Sequence, residues 1–144
     1  LLDYLKETEA LIGFPTTDYI SSVKMRNRID AGQVLDLGVD KGLNIELLAS
    51  LAPDVVMAYT MTGDYGQYKT IEDLGTPVII NAEYLEEHPL GRAEWIKFMA
   101  LFFDKEAMAD SVFTLIEQNY LQTKAMVDNK KTHSPTVMSG IVYG

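Results

Sequence analysis

Cysteine is absent from the 144-residue sequence, which excludes disulfides, thiolate metal sites and a zinc ribbon and leaves the redox compartment unreadable from thiols. Positive charge is scarce. Lys and Arg number 12 against 21 Asp and Glu, a formal charge of −9, so no surface for nucleic acid or anionic lipid is expected, both being gripped chiefly through basic side chains. No apolar run approaches the roughly 18 residues of a membrane span, and no basic, apolar, small-residue leader opens the sequence. The two histidines, His88 and His133, lie far apart, with no second ligand at metal spacing. His133 reads as solvated, and His88 as a loop residue before Pro89. A Walker sequence, a GxGxxG turn and a nucleophile elbow are also missing, so no catalytic machinery is visible.

The composition that remains is globular, with 47% hydrophobic and 10% aromatic residues, enough for one ordinary core at this length. The clearest local signal is residues 42–59, GLNIELLASLAPDVVMAY. Asn44 is placed to cap a helix, Glu46 sits in the first turn where the helix dipole favours an anion, and Leu47, Leu48 and Leu51 form an inward stripe that Pro53 ends. Residues 54–58 then read as a buried parallel strand. Ligands of open α/β sheets bind beyond the carboxyl ends of strands, so Tyr59 is the first ligand candidate, followed by Thr60, Met61 and Thr62 in the same loop.

Around this unit the sequence alternates between helix and strand. Residues 2–10 read as an amphipathic helix, 11–14 as a strand, 15–21 as a polar loop holding Asp18 and Tyr19, and 22–31 as a surface helix rich in basic residues, stopped by Gly32. A helix over 68–74 closed by Gly75 and a strand over 77–80 follow. Beyond Gly91 the pattern is helical, with Asp104 able to cap a second helix over 105–129 that would reach about 38 Å. Residues 129–135, NKKTHSP, read as a linker, and 136–144 as the start of a further strand. Three units are expected: an α/β lobe over 1–90, helices over 91–129, and linker and strand over 130–144.

Other side chains fit a site on the same strand ends. Arg92 falls in the first turn of a helix, where a cation opposes the dipole and needs a partner: Glu86, Glu87 or Glu94 in an ion pair, or a ligand carboxylate. Tyr84 and Glu83 follow a strand end, and Tyr19 lies in a loop whose Asp18 fits an Asx-type turn.

The segment NIELLASLAPDVVMAY resembles the signature of periplasmic binding proteins that serve ABC importers of iron-siderophore complexes, haem and cobalamin. DYISSVKMRNRIDAGQVLDLG at 18–38 and LGTPVIINAEYLEEHPLGRAEWIKFMALFFDKE at 74–106 are similar to flanking stretches of that family, so the likeness spans nearly the whole chain. The resemblance implies an α/β fold with a mostly parallel sheet flanked by helices, one lobe of a helix-bridged, chelatase-like binding protein. The helix over 105–129 would be the strut between lobes, with a first strand upstream of residue 1 and a second lobe beyond residue 144. It further implies capture of a small-molecule metal complex at Tyr59, Thr60, Met61, Tyr84, Arg92 and Tyr19, without cofactor or catalysis. Glu46 would dock on an inner-membrane permease, the protein being periplasmic or lipid-anchored. The absent first strand would leave a gap that residues 136–142 of a second copy could fill as a swapped dimer. Two rivals remain at this stage: a chelatase-like metal-handling enzyme lobe, which needs histidine and glutamate in the cleft, and a flavodoxin-like interaction module, whose long helix would wrap its own sheet.

Overall fold

The computed structural model describes residues 1–39, 42–59, 65–128 and 136. Helix α1 (Leu2–Leu5) is one turn long, not the helix expected over 2–10. Lys6 adopts left-handed backbone at φ 62°, and the amides of Lys6 and Glu7 donate to the carbonyls of Asp3 and Leu2, which satisfies the helix's last acceptors and stops it. A 3-10 turn, Thr8–Ala10, takes the chain to strand β1 (Gly13–Phe14), and a second, Thr17–Tyr19, follows.

Helix α2 (Val23–Asp30) begins at Ser22, whose hydroxyl accepts from the Met25 amide and donates to the Asp3 carboxylate. Met25 is its only buried residue, as the weak apolar stripe implies. Its basic residues fasten it instead. Lys24 pairs with Asp3 at 2.9 Å, Arg26 donates to the Thr17 carbonyl at 2.8 Å, and Arg28 reaches the carbonyls of Thr8, Glu9 and Leu11.

Strand β2 (Leu35–Asp36) runs parallel to β1, with Gly13 opposite Leu35. The sequence gives no sign of the antiparallel ribbon that comes next, β3 (Gly38–Val39) and β4 (Gly42–Leu43). The Asn44 carboxamide then accepts from the Leu47 amide at 2.9 Å to start α3 (Ile45–Leu51), as its position predicts. Left-handed Ala52 ends α3 ahead of Pro53. Strand β5 (Val56–Ala58), helix α4 (Gly66–Asp73) and strand β6 (Val78–Ile80) complete a βαβ unit, β5 and β6 being parallel with Val56 opposite Val78. The α/β class with parallel strands is as expected. Among the described residues, however, the strands form three two-stranded pieces and no continuous sheet.

Two apolar clusters hold the chain. In one, α3 and α4 pack on the strands through Leu37, Leu48, Tyr68 and Ile71, with Leu51, Val56 and Val78 around them. In the other, α5 (Pro89–Ala100) packs against α6 (Glu106–Asp128) and α1 through Leu5, Ile96, Ala100 and Ala109. The expected boundary at residue 90 thus falls inside α5. Asp104, expected to cap the second helix, takes left-handed backbone at φ 53° in the bend between α5 and α6. At 1.5 Å per residue α6 is about 35 Å long. Its buried and cluster-forming residues lie in its first half, and residues 121–128 are all exposed, so the helix does not wrap the strands as a flavodoxin-like module would require. Among the described residues no helix is long and apolar enough to cross a membrane. The expected linker and last strand, together with His133, fall outside the described residues apart from Thr136.

Candidate functional site

The parallel pair β5–β6 fixes where a site can form, because both strands deliver their next residues to the same end. Tyr59 follows β5 and is 42% exposed. Its position is held from the core: Tyr68, on the buried face of α4, donates its hydroxyl to the Tyr59 carbonyl at 2.7 Å. Across from it, the Asn81 amide donates to the Ala58 carbonyl at 2.7 Å, carrying the strand ladder one step past β6. The Asn81 side chain then accepts from the Glu83 amide at 2.9 Å, which opens a 3-10 turn over Glu83–Leu85. This turn brings Tyr84 to Tyr59, ring centroids 6.3 Å apart and planes at 68°, an edge-to-face pair.

The beginning of α5 locks the far side of that turn. His88 accepts from the Leu90 amide through Nδ1, and Pro89 occupies the first helical turn, where its missing N–H costs nothing. Arg92 donates from Nε to the Glu86 carbonyl at 2.9 Å and from Nη2 to the Tyr84 carbonyl at 3.4 Å. The carboxylate of Glu86 accepts from the Trp95 indole at 3.2 Å and lies over Gly91, where a Cβ would stand 2.7 Å from its Oε2. The ion pair expected between Arg92 and Glu86, Glu87 or Glu94 is not among the described contacts; Arg92 spends its donors on main-chain oxygens instead.

Of the side chains that the sequence singles out, the structure therefore brings together Tyr59, Tyr84 and the segment that Arg92 grips. Tyr19 is 84% exposed on its own turn, and no ring contact joins it to that pair among the described residues. Its loop is pinned from β2: the Asp36 carboxylate accepts from the amide and hydroxyl of Thr17, at 2.8 and 2.9 Å, and from the Gly38 amide at 2.8 Å. These bonds hold the Asp36 carboxyl below the usual carboxylate range, the Thr17 amide contributing most. Thr60, Met61 and Thr62 lie outside the described residues. Glu46 is exposed in the first turn of α3 and makes no ion pair among the described residues. His88, besides capping α5, meets the Tyr120 ring edge-on at 5.6 Å. Among the described residues no group of three potential ligands could hold a metal ion.

Sequence reasoning passed over the site roles of Asn81, Tyr68 and Trp95, and named Glu86 only as an ion-pair partner for Arg92. Asn81 carried a usable signal, an Asx residue directly after a strand; the other three form bonds that no spacing announces. A cavity of about 280 Å³ lies elsewhere, lined by Ala52, Pro53 and Thr76, residues that precede β5 and β6. It is therefore at the amino ends of these strands, away from the tyrosines.

A family model described as periplasmic binding protein matches residues 1–143. An uncharacterised lipoprotein of Methanocaldococcus jannaschii is 33% identical over 106 residues, 74% of this chain and 25% of its own length. A second uncharacterised lipoprotein of that organism is 32% identical over 128 residues, 85% of this chain and 33% of its own. The chain spans a third or less of the length of these curated relatives.

Proposed function

Because the chain belongs to the periplasmic binding protein family, we propose that it forms the cargo-binding half-site of an ABC importer's binding protein, and that the cargo is a metal complex: an iron chelate, haem or cobalamin. The observation that carries this reading is the Tyr59–Tyr84 pair, set at the carboxyl ends of two parallel strands and steadied through main-chain bonds on both sides. Edge-to-face rings offer flat apolar area for a chelate or macrocycle, and each hydroxyl can donate to a catecholate or carboxylate. Thr60 and Met61 adjoin Tyr59 in sequence, and Tyr19 offers an exposed ring on a second pinned loop.

Delivery would go to a permease. Glu46 is our docking residue on the family resemblance, and its exposure in the first turn of α3 leaves it accessible to a partner. The lipoprotein relatives support a membrane-tethered or periplasmic protein. A binding role is favoured over a chelatase because His88 is committed to capping α5.

The test is a fluorescence titration of the full-length protein with a ferric tris-catecholate, a ferric tris-hydroxamate, haem and cobalamin. Saturable submicromolar binding of one class, weakened about tenfold or more by Tyr59→Ala or Tyr84→Ala, is expected; tenfold corresponds to about 1.4 kcal/mol. Absence of binding to every class would overturn the reading. In reconstituted vesicles Glu46→Ala should slow uptake while leaving cargo affinity unchanged.

A further inference from the structure

We propose that Arg92 is a positioning residue: with Asn81 it fixes the turn that holds Tyr84 against Tyr59, and it acts on cargo through Tyr84 and not by contact. The proposal rests on the reading of that tyrosine pair as the cargo platform. The Glu83–Leu85 turn is a single 3-10 turn closed by main-chain bonds from Leu85 to Ala82 and from Glu86 to Glu83, and Leu85, at 66% exposure, does not anchor it in a core.

Its geometry is set from its two ends. At the entry, Asn81 is part of the β5–β6 ladder through its amide and of the turn through its carboxamide. At the exit, the Arg92 guanidinium bridges the carbonyls of Tyr84 and Glu86, one bond landing on the residue whose ring meets Tyr59. The rest of the α5 start is shaped to allow this. Gly91 leaves room for the Glu86 carboxylate, and Trp95 holds that carboxylate from one turn further on. A cation in a helix's first turn is opposed by the dipole, and here two carbonyl oxygens supply the compensation. Two separate carbonyl oxygens suit a planar fork better than the point donor of a lysine. A rotation of the turn by a few degrees would change the ring-to-ring angle, so losing either end should misplace Tyr84 without unfolding the lobe.

The experiment uses the full-length protein with Arg92→Ala, Arg92→Lys and Asn81→Ala. Hydrogen exchange of the amides in residues 82–87, without cargo, should speed up at least several-fold in all three. Affinity for whichever probes the wild type binds, among a trianionic ferric tris-catecholate, a cationic or neutral ferric tris-hydroxamate and cobalamin, should fall by a similar factor whatever the probe's charge, with Arg92→Lys recovering little. A loss confined to the anionic probe, restored by lysine and accompanied by unchanged exchange, would show a direct charge contact and overturn the proposal. If the wild type binds none of the probes, the platform reading fails, while the exchange measurement still decides whether Arg92 and Asn81 hold the turn.

Discussion

Single side chains in this molecule do most of their work on main-chain atoms. Asp36 accepts from two Thr17 donors in the loop that follows β1 and from the Gly38 amide, and its depressed carboxyl implies a sign for the pH response. A group whose folded value is lowered contributes stability above its unfolded value, near 4 for aspartate, and that contribution is lost as pH falls through the lower folded value. The unfolding midpoint in denaturant should therefore drop on acidification below about pH 4, and Asp36→Asn should flatten that drop while lowering the midpoint at neutral pH. A midpoint insensitive to this exchange at both pH values would refute the assignment. The same preference for main-chain partners explains what could be read beforehand at this scale. Tyr59 and Asn44 announced themselves, because a residue after a strand and a cap before a helix have fixed positional meaning. Arg92 was expected to find a carboxylate, and carbonyl oxygens carry no residue-type signature that would have shown the alternative.

Among the elements, α2 shows how a helix with no apolar stripe is kept in place. Arg28 connects it to the carbonyls of Thr8, Glu9 and Leu11, and to Gln33 through Nε, so removing the guanidinium leaves several acceptors without their donor. Arg28→Ala should cost about 2 kcal/mol, in the range of a few hydrogen bonds to a charged group, and Arg28→Lys should recover only part; equilibrium unfolding measures both. Element types and order were largely legible, since the Asn44 cap, the Pro53 stop and the Gly75 turn follow from local chemistry. Boundaries were less so where non-glycine residues take left-handed backbone. Lys6 and Ala52 end helices at φ 62° and 46°, conformations that sequence assigns to glycine or asparagine. The β3–β4 ribbon was missed for a related reason, its strands being two residues each and too short to show alternation.

For the molecule as a whole, the notable division is between two cores joined through the segment that carries the site. Core residues at Leu48 and Ile71 hold the strands, and those at Ile96 and Ala109 hold the helices, with residues 81–92 between them. The outer half of α6 bears Leu121, Met126 and Val127 at 52–56% exposure. A double change of Leu121 and Met126 to serine should leave the unfolding of residues 1–144 within about 0.5 kcal/mol, the range of exposed substitutions. Equilibrium unfolding in denaturant measures this, and a larger loss would show that these side chains pack in the folded protein. The sequence disclosed the family but not this bipartite packing, because which helix faces meet depends on backbone turns at Lys6 and Asp104 that it did not reveal.

The bonds from Tyr68 and Arg92 land on the carbonyl oxygens of Tyr59 and Tyr84, atoms that every amino acid possesses. The frame is consequently blind to which side chains it displays. Exchanging the two rings for other residues would leave the same two supports in place, so the recognition surface can be rewritten while the scaffold beneath it is inherited unchanged.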